Sequence, residues 1–212
     1  MGTGEVILVT TNFRLGSLGF MALDNEVSGN QGLRDQVAAL QWVRDNIAVF
    51  GGDRERVTLF GQGSGSWMTG YLLLSPLAHG LFQGAILQSM VHWGGPAFDT
   101  STRKQAEERG EELVHSLSCS VEGRMACLRR KTGDEVILAG LGGNLPLINV
   151  DGYFLQEHPI VLLAQGRYNK VPIIIGATSR DGIGLSTPQN LQSWTQLAQI
   201  WMPGSICWPL QL

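Results

Sequence analysis

Charge is what this sequence has least of. Charged residues occupy 16% of its 212 positions, against roughly 25% in ordinary globular domains. The formal net charge is −3 with no basic block, which removes the electrostatic footprint of a nucleic-acid binder and the polybasic patch of a membrane-surface protein. Long apolar runs are absent too. None approaches the roughly 18 residues of a membrane-spanning helix, and the opening MGTGEVILVTTNF enters a β-branched run without the charged-then-apolar pattern of a signal peptide. Cysteine is rare, with Cys119 and Cys127 close together and Cys207 apart. Three cysteines cannot make a disulfide scaffold, and spacing alone leaves the near pair open between two thiols and a bridge. No Asn-x-Ser/Thr acceptor occurs. Nor is there a cofactor or metal motif.

What is present is apolar. Hydrophobic residues reach 43% and glycine 28 positions, enough to bury a core, and with so little charge this reads as an interior-rich piece of something larger. Glu5–Thr10, EVILVT, has the length and β-branching of a buried parallel strand. Leu33, Val37, Leu40, Val43 and Ile47 recur at helical spacing until Gly51 and Gly52 stop them. Val57–Phe60 predicts a strand, Ser66–Leu74 a helix ended by Pro76, and Gly84–Leu87 another strand. This order, βαβαβ, predicts an α/β fold with a mostly parallel sheet and helices on both faces. Farther on, Thr102–Ser118 predicts a charged helix, although Gly110 inside it costs about 1 kcal/mol relative to Ala. Pro159 suits the first turn of a short helix, and Ile173–Gly176 predicts a further core strand. Residues 186–212, with three of the six tryptophans, show no assignable pattern.

One short stretch carries the chemistry. RVTLFGQGSGSW, residues 56–67, runs a strand through a glycine-rich bend into a helix. A nucleophile elbow, Gly-x-Ser-x-Gly, has this form, because its turn is so tight that the central residue is strained and its neighbours nearly touch. In Gly61-Gln62-Gly63-Ser64-Gly65 both outer glycines are kept while the centre is Gly63. Ser64 lacks glycines at 62 and 66, and a phosphate loop would need a lysine that is missing.

With NFRLGSLGF, GNQGLRDQVAALQWVRDNIAVFGGDRERVTLFG, LLLSPLAHGLFQGAILQS, VDGYFLQEHP and IIIGATSRDG in that order, the chain resembles the type-B carboxylesterase and cholinesterase family of α/β-hydrolases. The resemblance implies a partial α/β-hydrolase domain over residues 1–185, incomplete at both ends, and an unassigned tail over 186–212. It places the family's nucleophilic serine on Gly63, its oxyanion-hole residue on Ser64 and its acid on Asp181. His79, His92, His115 and His158 lie in no matching context, and the family's histidine would fall beyond Leu212. The oxyanion glycine pair would fall before Glu5. The resemblance also implies a Cys119–Cys127 disulfide, hence an oxidising compartment.

Non-catalytic members, namely neuroligins, glutactin-like adhesion proteins and the cholinesterase-like part of thyroglobulin, are most similar to this elbow in having no serine there. Three readings follow. The chain is a non-catalytic domain with an extracellular protein partner, or an esterase using Ser64 and Asp181, or a truncated form with no function of its own. Trp42 and Trp67 read as packing residues, and Arg103–Glu112 as a solvated helix face. No cofactor is expected, and the oligomeric state is not legible.

Overall fold

The computed structural model describes residues 6–24, 26–89, 100–120, 122–141, 148–178 and 181. In chain order come helix α1 (Gly16–Phe20), strands β1 (Ala22–Leu23) and β2 (Val27–Ser28), and helix α2 (Gln31–Asn46), which tightens into a 3₁₀ turn over Ile47–Phe50. Strand β3 (Thr58–Gln62), helix α3 (Ser64–Leu74), a 3₁₀ turn at Pro76–Ala78 and strand β4 (Gly84–Gln88) follow. The remainder is α4 (Arg103–Ser116), α5 (Arg124–Leu128), α6 (Gly133–Leu141), α7 (Pro159–Ala164) and β5 (Ile173–Gly176). β1 and β2 form a small antiparallel hairpin inside the stretch rich in Gly, Asn and Ser, which the sequence pattern did not signal.

β3, β4 and β5 form a parallel sheet in that order, with Leu59 opposite Ala85 and Ile173, and Phe60 opposite Ile86 and Ile174. The expected α/β class is thus present. Residues paired across strands share a face. The face bearing Leu59, Ala85 and Leu87 joins the main core with Leu33, Val37 and Leu40 of α2, Met68 and Tyr71–Leu74 of α3, and Leu162 of α7. α3 is apolar on every side and eight of its eleven residues are buried, so packing rather than a surface stripe holds it. The opposite row stays open among the described residues, with Phe60 59% and Ile174 65% exposed.

Two strand expectations do not hold. Residues 6–10 are not in a strand; Val6 is 83% and Leu8 65% exposed. A β-branched run becomes a strand only where a neighbour completes its hydrogen bonds, and no described residue pairs with it. Ile173–Gly176 is a strand, but not a core strand, since all four residues are exposed. It lies at the edge of the described sheet, so only one side is bonded.

All five periodic positions, Leu33, Val37, Leu40 and Val43 of α2 and Ile47 at the start of the 3₁₀ turn, are buried. The helix ends where Gly51, at φ 81°, donates to the Ala48 carbonyl and Gly52 donates to that of Ile47. Asn30, buried before α2, uses its side chain on a segment distant in the chain: Nδ2 donates to the Asn149 carbonyl at 2.8 Å and Oδ1 accepts from the Asn149 N–H at 3.0 Å. Near the helix start, Asp35 accepts from Arg14 Nε at 2.8 Å, Nη2 at 2.6 Å and the Arg14 N–H at 3.0 Å. Hydrogen bonding from the guanidinium holds the Asp35 carboxyl below its usual range. A depressed carboxylate stabilises the fold above its unfolded-state value and loses that contribution as pH falls through the folded one. Asp35→Asn is therefore expected to cost about 1 kcal/mol at neutral pH, the upper end for an exposed pair. Urea midpoints of the two proteins should converge below about pH 4.

A second apolar cluster joins Leu23 of β1 to Leu113, Val114 and Leu117 at the end of α4, Leu128 and Val136. Thr102 and Gln105 close a capping box at the start of α4. Arg103 is more than part of a solvated face: it donates to the backbone carbonyls of Asp24, Val27 and Ser28 and pairs with Glu107. Arg124, 7% exposed, is bonded to Glu26 beside the hairpin and Glu111 of α4. Cys119 and Cys127 are joined, with Cα atoms 5.8 Å apart, as the family resemblance implied. This bridge brackets the turn that presents Arg124. Cys119→Ala with Cys127→Ala is expected to cost about 2–3 kcal/mol, because a loop of this length leaves the unfolded chain freer. A urea transition unmoved by the double substitution would show that the bridge holds nothing.

Candidate functional site

β3 delivers the chain to the corner. Its last residue is Gln62, and α3 begins at Ser64, so Gly63 alone makes the turn. Gly63 has φ 59° and ψ −122°, a combination that a residue with a Cβ adopts only under strain. Its N–H donates to the Gln88 carbonyl at the end of β4, and its carbonyl accepts from the Trp67 N–H of α3, both at 3.0 Å. The corner is thus bonded to the neighbouring strand and to the helix it starts.

One outer glycine, Gly61, explains how so sharp a turn fits. A methyl built on Gly61 would overlap the backbone carbonyl of Gly65 and stand 2.7 Å from the Ser66 nitrogen. Strand and helix therefore touch through bare backbone. Gly63 is different, because a Cβ built there meets nothing within 4 Å. The elbow keeps room for a side chain at Gly63, as it does at Gly65 on the helix.

The corner carries no formal charge, since positions 61–66 are glycine, serine and glutamine. The first N–H groups of α3 have no partner within the helix and give its start a partial positive charge. Ser64 is exposed at the first helical position, one residue past the corner. Deeper in, the buried Ser66 hydroxyl has no hydrogen-bond partner among the described residues.

A family model described as "Carboxylesterase family" matches residues 1–199. The chain belongs to the carboxylesterase family. It is 35% identical to Cholinesterase 2 of Branchiostoma lanceolatum over 85% of this chain and 56% of that protein. To Carboxylesterase 3 of Homo sapiens it is 38% identical over 84% of this chain and 31% of that protein. With the cocaine esterase of Oryctolagus cuniculus the identity is 39%, over 88% of this chain and 35% of that protein. The chain therefore spans from about a third to about half the length of these relatives. The parallel sheet and its helices agree with the α/β-hydrolase class of carboxylesterases.

Within this carboxylesterase fold the proposed acid position comes to the same end of the sheet as the corner. Asp181 follows β5, and since β3, β4 and β5 run parallel, both lie past carboxyl ends with β4 between them. Two strand spacings put about 10 Å of sheet between the two strand ends. Asp181 is exposed and folded into its own turn: its N–H donates to the Thr178 carbonyl at 3.1 Å, and Oδ2 accepts from the Thr178 N–H at 3.4 Å. The histidines are elsewhere. His79 lies beyond the 3₁₀ turn that precedes β4, at the other end of the sheet, and His115 is exposed in the last turn of α4. His158 caps α7, with Nδ1 accepting from the Ile160 N–H at 3.3 Å. His92 and the segment 186–212 lie outside the described residues.

Of the two aromatics near these elements, Trp42 is 48% exposed with its ring tilted against Phe50, and Trp67 meets Tyr71 edge-on. Sequence reasoning passed over Ser89. It holds φ 61° just past β4, and its N–H donates to the Gly176 carbonyl at 2.7 Å, locking the ends of β4 and β5 together. The only hint was a serine directly after a strand.

Proposed function

We propose that this chain is a carboxylesterase-family scaffold that does not hydrolyse esters and that works, in the longer protein it forms part of, by binding a protein partner outside the cell. Gly63 carries this reading: the elbow keeps its strained corner and the space for a side chain, and glycine supplies no nucleophilic atom. A serine esterase without its nucleophile retains only a small residual rate over water. The Cys119–Cys127 bridge supports an oxidising location, and no helix of the described residues is long and apolar enough to cross a membrane. Incubation with a fluorophosphonate should leave the intact mass unchanged, and 4-nitrophenyl acetate should be hydrolysed no faster than by an equal concentration of unrelated protein. Turnover of many per second, blocked by the phosphonate, would sink the proposal.

A second reading is ester hydrolysis from a divergent site, favoured by relatives whose names are those of esterases. Ser64 would be its nucleophile. A serine hydroxyl is weak without an adjacent base, and Ser64 stands beside the corner rather than on it. Peptide mapping of a phosphonate adduct to Ser64 would establish this reading in place of the first.

A further inference from the structure

We propose that a groove at the end of the sheet opposite the elbow binds a ligand with one carboxylate on a compact apolar body. The groove is open to solvent and offers about 330 Å³ between the turn that leads into β4 and the segment that leads into β5. Phe82 and Pro172 give it an apolar lining, and His79 and Lys170 line it as well. Both of these side chains are exposed, and neither has an acidic partner among the described residues. An ammonium and an imidazole N–H beside an apolar surface match a carboxylate attached to a hydrocarbon or aryl body.

The walls are fixed before anything binds. Gln83 and Val57 exchange two hydrogen bonds of 2.8 Å, one through the Gln83 side chain. Asn169, 6% exposed, donates through Nδ2 to the carbonyls of Leu72 at 3.0 Å and Ser75 at 3.2 Å, and through its N–H to that of Leu73 at 2.7 Å. Lys170 therefore extends from an anchored backbone, which lowers the ordering cost of binding. Size narrows the ligand further. Ligand pockets run from roughly 300 to 1,000 Å³, so this groove takes an aryl acid or a single chain-terminal residue rather than a nucleotide or a whole lipid. The formal net charge of −3 gives no general attraction for anions, so selectivity must come from the two local side chains. This inference does not depend on the state of the elbow, which lies a strand length away, about 15 Å.

The test uses the full chain labelled with ¹⁵N, titrated separately with benzoate, with N-acetyl-alanyl-phenylalanine, and with the amide of each. At least one carboxylate should move the backbone amides of Gly80, Gln83 and Lys170, and its amide should bind at least about fivefold more weakly, as loss of a charge-assisted hydrogen bond requires. Lys170→Met should weaken the acid by a similar factor and leave the amide unaffected, with an otherwise superimposable spectrum showing that the fold is intact. Tighter binding of benzoate assigns the groove to free acids, and tighter binding of the dipeptide assigns it to chain termini. Shifts from neither acid, or equal affinity for acid and amide, overturn the proposal.

Discussion

Gly110→Ala should lower stability by about 3 kcal/mol or more, although helix propensity alone favours it. In an exposed helix interior the substitution gains about 1 kcal/mol. Gly110 is buried where α4 crosses the β1–β2 hairpin, and a methyl there would overlap the Ala22 carbonyl oxygen and stand 2.9 Å from Leu23 Cδ2. Neither obstacle is easily moved. The oxygen is backbone and Leu23 is fully buried, so α4 must shift away from the hairpin and open the cluster around Leu113 and Val114. Overpacking commonly costs about 1–3 kcal/mol and occasionally more; because the methyl would overlap a backbone oxygen, about 4 kcal/mol is expected here, which outweighs the propensity gain. A chain of this size should lose roughly 6–12 °C in thermal midpoint. A variant as stable as the parent would mean that α4 does not lie against the hairpin.

Gly110 also shows where sequence reading stops. Within a charged helical pattern it counts only as a cost, because propensity is local and Ala22 lies far away in the chain. The same limit explains the strands. β-branching and length identify Ile173–Gly176 correctly as a strand, but burial depends on neighbours that no short window contains, so its exposure was invisible. For residues 6–10 no described residue pairs with the run, and the strand is absent as well. The core-facing positions of helix α2 were legible because 3.6-residue periodicity is itself a record of burial, while its start at Gln31 and its tightening into a 3₁₀ turn at Ile47 were not. At the site, the corner was legible and its contacts were not. Gly63 could be placed on the corner from the motif, but that Gly61 must yield to the Gly65 backbone, and that Asp181 is engaged by Thr178, are facts of three-dimensional approach. The disulfide lay between these cases, since spacing left it open and only kinship with the carboxylesterases singled it out.

Alanine substitutions at Gly61 and Gly63 should separate the two demands that the elbow makes on glycine. At Gly63 the space is empty, so alanine pays only for its backbone angles, φ 59° and ψ −122°; strain of this kind costs about 1–3 kcal/mol. At Gly61 the backbone angles are those of an ordinary strand and the difficulty is contact: the methyl meets the Gly65 carbonyl and the Ser66 nitrogen, main-chain atoms that cannot rotate aside. Relief requires prising the first turn of α3 away from β3, which disturbs the Gly63 bond to Gln88 and the main core beneath α3. Gly61→Ala should therefore cost about 3–5 kcal/mol, in the range reserved for core disruption, and Gly63→Ala clearly less. Equilibrium urea unfolding of both variants decides the matter. If Gly63→Ala were the more damaging, the space at the corner would be filled in solution, and the picture of an elbow that retains room for a lost side chain would be wrong. If Gly61→Ala is the more damaging, Gly63→Ser becomes the informative next protein. Its hydroxyl should fit at a cost close to that of alanine, and it should react with a fluorophosphonate only if a base reaches the corner.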